Sequence, residues 1–133
     1  MTTDEKYEYW LEIAQYDLES ADVMFGGGRW LYVLFMCQQA IEKLVKGLYT
    51  VYLGEIPPKT HNIALLVKRV AYKFPEVISD EHTALFDTLS KYYLNNRYPD
   101  YMSKLSEQTD KSETERVLIK SKEAFAWLLT MKR

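Results

Sequence analysis

The residues of this sequence with the chemistry to bind or react fall into three groups. The first is a polar row within residues 37–49, Cys-Gln-Gln-Ala-Ile-Glu-Lys-Leu-Val-Lys-Gly-Leu-Tyr. At about 100° per residue, Gln39, Glu42, Lys43 and Lys46 share one sector of a helix, and Gln39, Lys43 and Lys46 lie within about 60°. The second is His61, in Lys59-Thr60-His61-Asn62, and the third is Arg97-Tyr98-Pro99-Asp100. A guanidinium fork matches phosphate geometry and lysines add charge. A tyrosine ring, Tyr98 or Tyr101, offers a stacking face for a base, and Asp100 can orient Arg97 or accept a hydrogen bond from a ribose. Proline forces Tyr98 into an extended conformation, so this segment turns away from a helix end and can fold back over a neighbour. The expected result is a small cationic pocket of Gln39, Lys43 and Lys46 beside Arg97 and Asp100. Each group also has a structural reading. Glu42 and Lys46 are an i, i+4 pair suited to a solvated face, His61 can cap or pack at a helix start, and Arg97 with Asp100 can fix a turn. Spacing alone does not choose between them.

Other chemistries find little support. The two histidines fall in different helical segments, Cys37 is the only cysteine, and no histidine pair has i, i+4 spacing for a metal. The residues three before His61 and His82 are Pro58 and Ser79, so the Glu-x-x-His motif of di-iron bundles is missing. No nucleophile elbow surrounds a serine. Gly26-Gly27-Gly28 lacks the Gly-Lys-Ser/Thr of a phosphate loop and reads as a tight turn between antiparallel helices. Cys37 lies on the inner helix face and is expected to be buried and inert. No cofactor is expected.

The elements that must position these residues are helices. The chain has 133 residues and a 47% apolar fraction, enough for one domain with its own core. Its formal charge is −2, from 17 basic and 19 acidic residues, which argues against a general nucleic-acid coat but not against a local patch. The polar N-terminus and the lack of a long apolar run lead us to expect a cytoplasmic protein without a membrane span. Tyr7, Trp10, Leu11, Ala14, Leu18, Ala21 and Phe25 recur at helical spacing over residues 5–25, with Thr3 or Asp4 as cap. A second helix runs from about Trp30 to Leu53 and ends at Gly54 before Pro57-Pro58. A third carries Ile63, Leu66, Val67 and Val70 behind an N-cap at Thr60 or Asn62. A fourth begins at Ser79 with Leu85, Phe86, Leu89, Tyr92 and Tyr93 inward and stops near Asn95-Asn96. Residues 102–111 read as loop, and Ser112 with Glu115 as a capping box for the last helix, in which Leu118, Lys122, Phe125 and Leu129 share an inner face that Ala124, Leu128 and Met131 widen. The expected fold class is all-α, a single-domain up-and-down bundle of four to five helices. In the second helix Leu31, Leu34, Val45, Tyr49 and Tyr52 form a further apolar flank needing cover from another helix or a second chain. With 11 tyrosines available for contact, this flank leads us to expect a homodimer.

Four motifs in order resemble the HEPN domain, named for nucleotide binding in higher eukaryotes and prokaryotes. They are Trp10, Ala14, Asp17-Leu18 and Ala21; Gln38-Gln39-Ala40-x-Glu42-Lys43-x-x-Lys46; Pro58-x-Thr60-His61-x-x-x-Leu65; and Arg97-Tyr98-Pro99-Asp100. The resemblance spans about residues 5 to 130 and implies a four- or five-helix bundle. It also implies dimerisation, and partnership with a minimal nucleotidyltransferase in a toxin–antitoxin-like pair. The nucleotide- or partner-binding residues expected on this basis are Gln39, Lys43, Lys46, His61, Arg97, Tyr98 and Asp100. Many HEPN members are metal-independent RNases that use an Arg followed, after four to six residues, by a His. Here those positions after Arg97 are Met102, Ser103 and Lys104, and no other arginine has a His at that spacing. The resemblance therefore implies a binding module that lacks the RNase motif. A metal-independent RNase with a degenerate site and a purely structural dimerisation domain are the alternatives.

Overall fold

In the computed structural model, described for residues 1–93, 103–104, 106–107 and 109–133, every element among the described residues is helical and none is a strand. The helices are α1 (Thr3–Gly26), α2 (Trp30–Leu53), α3 (Ile63–Val70), α4 (Asp80–Ser90) and α5 (Lys111–Thr130), with a short 3-10 turn, Ala71–Lys73, after α3. This is the all-α bundle expected from the apolar periodicity.

Local chemistry sets the ends. Thr2 caps α1 through a reciprocal capping box with Glu5, one residue ahead of the expected Thr3 or Asp4. Asn62 caps α3 and Ser79 caps α4. For α5 the cap is Asp110, whose carboxylate accepts from the Glu113 amide, not the expected Ser112–Glu115 box; an ionised acceptor makes the stronger bond. Gly54 ends α2 in the left-handed region at φ 64°, where any other residue would be strained. Helix α4 stops at Ser90, earlier than expected, and Tyr92 and Tyr93 follow it half-buried. Residues 103–104 and 106–107 are helical where a loop was expected.

The core is built around α2, which packs against all four other helices. Val33, Leu34, Cys37, Ala40, Ile41, Leu44, Val45 and Leu48 are buried completely. The second apolar flank of α2 is therefore covered largely from within the chain, with Leu34 and Val45 sealed and Tyr49 nearly so. Helices α1 and α2 pack tightly, with Ala14 and Ala21 of α1 fully buried and Gly47 of α2 facing Tyr7 and Trp10. A methyl group at Gly47 would lie 3.1 Å from Trp10 Cβ and 3.1 Å from a Tyr7 ring carbon. Helix α5 and its C-cap bury Leu118, Ala124, Phe125, Leu128 and Met131 of the expected face. Thr114, Val117 and Ser121 are buried as well, whereas Lys122, expected inward, lies outside and pairs with Asp22 of α1 at 2.6 Å. The hydroxyls of Thr114 and Ser121 make that part of the inner face look polar in sequence.

Candidate functional site

One turn of helix separates Gln38, Glu42 and Lys46, so the three form a row along α2. This row is not solvated: Gln38 is fully buried, Glu42 is 3% exposed and Lys46 8%. A carboxylate that deep is stable only when paired and hydrogen-bonded. Glu42 meets both conditions. Its Oε2 accepts from Lys46 Nζ at 3.0 Å, and its Oε1 accepts from Gln38 Nε2 at 2.8 Å and lies 3.0 Å from His61 Nδ1. The Gln38 amide also donates to the His61 carbonyl at 3.0 Å, and its own oxygen accepts from Gln39 Nε2 at 2.7 Å. The positive charge of Lys46 offsets that of Glu42, and Trp10 of α1 lies below the ammonium, 6.0 Å from Nζ to ring centroid.

The loop after α2 and the end of α4 bring His61 to this row. Pro57 and Pro58 prevent α2 from continuing, and His61 stands immediately before the Asn62 cap of α3. The Ile63 amide donates to Ser90 Oγ at 3.2 Å, which joins the start of α3 to the end of α4. Three residues on, Tyr93 stacks on the imidazole with ring centroids 3.6 Å apart and planes 8° from parallel.

The network assigns the imidazole tautomer. A carboxylate held by Lys46 and Gln38 only accepts, so Nδ1 of His61 carries the hydrogen and Nε2 is the lone-pair nitrogen. The His61 side chain is 43% exposed against 4% for Glu42, so the bundle holds one edge of the ring, Tyr93 covers one face, and the remainder reaches solvent. The surface therefore presents a hydrogen-bond acceptor, or a cation when protonated, next to an aromatic ring.

Of the expected site residues, His61, Lys46 and Gln39 meet through Glu42 and Gln38. Lys43 does not join them: its ammonium pairs with Asp17 of α1 at 2.5 Å, because its direction from the helix faces α1. Arg97, Tyr98 and Asp100 lie outside the described residues, as does the expected pocket they would form. Sequence reasoning left out Gln38 and Tyr93 and gave Glu42 no role in the site. The available signal was the apolar flank beside the stripe. A helix apolar on two sides is nearly surrounded, so its polar residues must pair with one another.

Two other buried groups, Cys37 and Tyr7, are structural. Burial pushes the Cys37 thiol up to about 12, despite the Ser121 hydroxyl beside it. Burial, with Glu8 nearby, also pushes the Tyr7 phenol up to about 12. Among the described residues no group of three His, Cys, Asp or Glu side chains is placed to hold a metal ion, and no helix is long and apolar enough to cross a membrane.

The HEPN domain model matches residues 7–131. The chain therefore belongs to the HEPN domain family. Its fold is similar to that of TT1696 from Thermus thermophilus, at 25% sequence identity and a TM-score of 0.77, covering 95% of this chain and 98% of that one. It is also similar to ST0689, an archaeal HEPN homologue, at 24% identity and a TM-score of 0.69, covering 94% of this chain and 96% of that one. No curated protein matches the sequence significantly.

Proposed function

We propose that this HEPN domain is a nucleotide- or nucleic-acid-binding module and the partner subunit of a minimal nucleotidyltransferase in a toxin–antitoxin-like pair. The observation that carries the reading is the buried Gln38–Glu42–Lys46 network that fixes His61 against Tyr93. Burying a charge to orient one partly exposed imidazole is a costly arrangement if that ring only caps a helix, a task Asn62 already performs. A fixed acceptor nitrogen suits a ribose hydroxyl or a base amino group, and the adjoining aromatic ring suits a base. Arg97 follows Tyr93 by four residues in the chain and is the phosphate ligand of this reading. Self-association as a homodimer belongs to the same proposal, through a face other than the covered flank of α2.

The test is calorimetric titration of ATP and of a short single-stranded RNA into wild type, His61→Ala and Arg97→Ala, with capture of nucleotidyltransferase partners in parallel. Loss of binding in both folded variants supports the reading, and unchanged binding in both refutes it. One observation favours a second reading, a metal-independent RNase with a degenerate site: a carboxylate-oriented imidazole with a free nitrogen is the form a general base takes. RNA cleavage abolished by His61→Ala would establish that reading instead.

A further inference from the structure

Helix α1 carries a second pattern, on the face turned away from the bundle. Tyr9, Tyr16 and Val23 recur every seven residues and are 54%, 71% and 72% exposed. At about 100° per residue they form one ridge spanning about 40°. Along one edge of it run Glu5, Glu12 and Glu19, also at seven-residue spacing, with Glu8 beyond them. Ile13, half-buried, lies on the opposite edge. Tyr9, Glu12, Ile13, Gln15, Tyr16 and Glu19 line a shallow groove on this face.

The carboxylates on this face differ from the others on α1. Asp4, Asp17 and Asp22 pair with Lys132, Lys43 and Lys122, tying α1 to the residues after α5, to α2 and to α5. Among the described residues Glu8, Glu12 and Glu19 have no such partner, and Glu5 only closes the N-terminal capping box. The single basic residue of α1 is Lys6. Apolar spacing of this kind is the half-seam of a two-helix contact, and charged flanks set the choice of partner.

We propose that the outer face of α1 is a docking surface for a basic amphipathic helix of another protein. A second copy fits badly: pairing two α1 helices antiparallel sets one row of glutamates against the other, at a cost in like-charge repulsion. Nucleic acid and anionic lipid are repelled by the same row. A helix with an apolar ridge flanked by Lys or Arg fills the seam and neutralises the glutamates. This surface does not depend on the nucleotide-binding reading.

The test uses two synthetic helical peptides with the same leucine ridge, one flanked by lysines and one by glutamates, titrated by fluorescence anisotropy. The lysine peptide should bind the wild-type protein, more weakly as salt rises. Binding should fall at least about tenfold for Tyr16→Ser with Val23→Ser, and likewise for Glu12→Lys with Glu19→Lys. The latter variant should instead bind the glutamate peptide. All four positions are exposed or at the surface, and circular dichroism checks that the variants stay folded. Failure of the lysine peptide to bind, or binding unaffected by both double variants, would overturn the proposal. So would a wild-type dimer that dissociates on Tyr16→Ser with Val23→Ser, since the occupant would then be a second copy.

Discussion

Glu42 and Glu113 each bind a basic side chain of their own helix, Lys46 one turn along α2 and Arg116 three residues along α5. In sequence the two pairs look alike. In the structure the first has side chains 4% and 10% exposed, while the second has 40% and 50%. The outer pair is a surface ion pair in which the guanidinium holds the Glu113 carboxyl below its usual range, and little else depends on it. The inner pair sits under α1, with Trp10 beneath Lys46 and His61 on Glu42, so one change there disturbs three elements. The worth of an ion pair within one helix is thus set by what packs over it.

The largest expected effect comes from breaking the inner pair. Lys46→Ala leaves Glu42 buried with its charge uncompensated and should cost about 3–5 kcal/mol in denaturant unfolding. Adding Glu42→Gln removes the orphaned charge while keeping an acceptor for His61, and should restore about 1–2 kcal/mol. A cost below about 1 kcal/mol for Lys46→Ala would place the inner pair with the outer one.

The next effect is alkaline. The Cys37 thiol lies at about 12 in the folded protein against an ordinary 9.0. A raised value means that the unfolded chain releases its proton first, so stability is complete below about pH 9 and falls as pH rises toward 12. Unfolding followed over that range should show the decline, and Cys37→Ala should flatten its lower part. Tyr7 acts in the same sense between its ordinary 10.0 and about 12.

A smaller effect sharpens the account of what covers the inner pair. Gly47→Val pushes into Trp10 Cβ, which is tied to the α1 backbone, and should destabilise by about 1–3 kcal/mol. Gly47→Ala should cost less, because alanine gains helix propensity against the 3.1 Å contact. The smallest effect is that of Arg116→Ala, under about 1 kcal/mol and shrinking further in high salt.

The helices were legible because apolar residues recur at spacings of three and four and their breaks coincide with Gly, Pro, Asn and Ser. The face of α5 was legible in Leu118, Ala124, Phe125, Leu128 and Met131, but Thr114 and Ser121 are buried without looking apolar, and Lys122 sits at the spacing of its apolar neighbours yet faces out. The candidate site was half legible. His61 and Lys46 stood out by type, but their link through Glu42 and Gln38 joins residues 19 and 23 positions apart, which no local pattern reports. Lys43 shared the stripe of Lys46 yet turned to Asp17, because a sector of a helix tens of degrees wide can face two neighbours.

The central claim is that Glu42 holds His61 with Nδ1–H inward and Nε2 outward as the contact atom for a ligand. Nitrogen-15 NMR of the neutral form of the imidazole tests it directly. The account predicts a proton on Nδ1, a bare Nε2, and a shift of the Nε2 resonance when ATP or single-stranded RNA is added. A proton on Nε2, or a resonance that neither ligand moves, would contradict it.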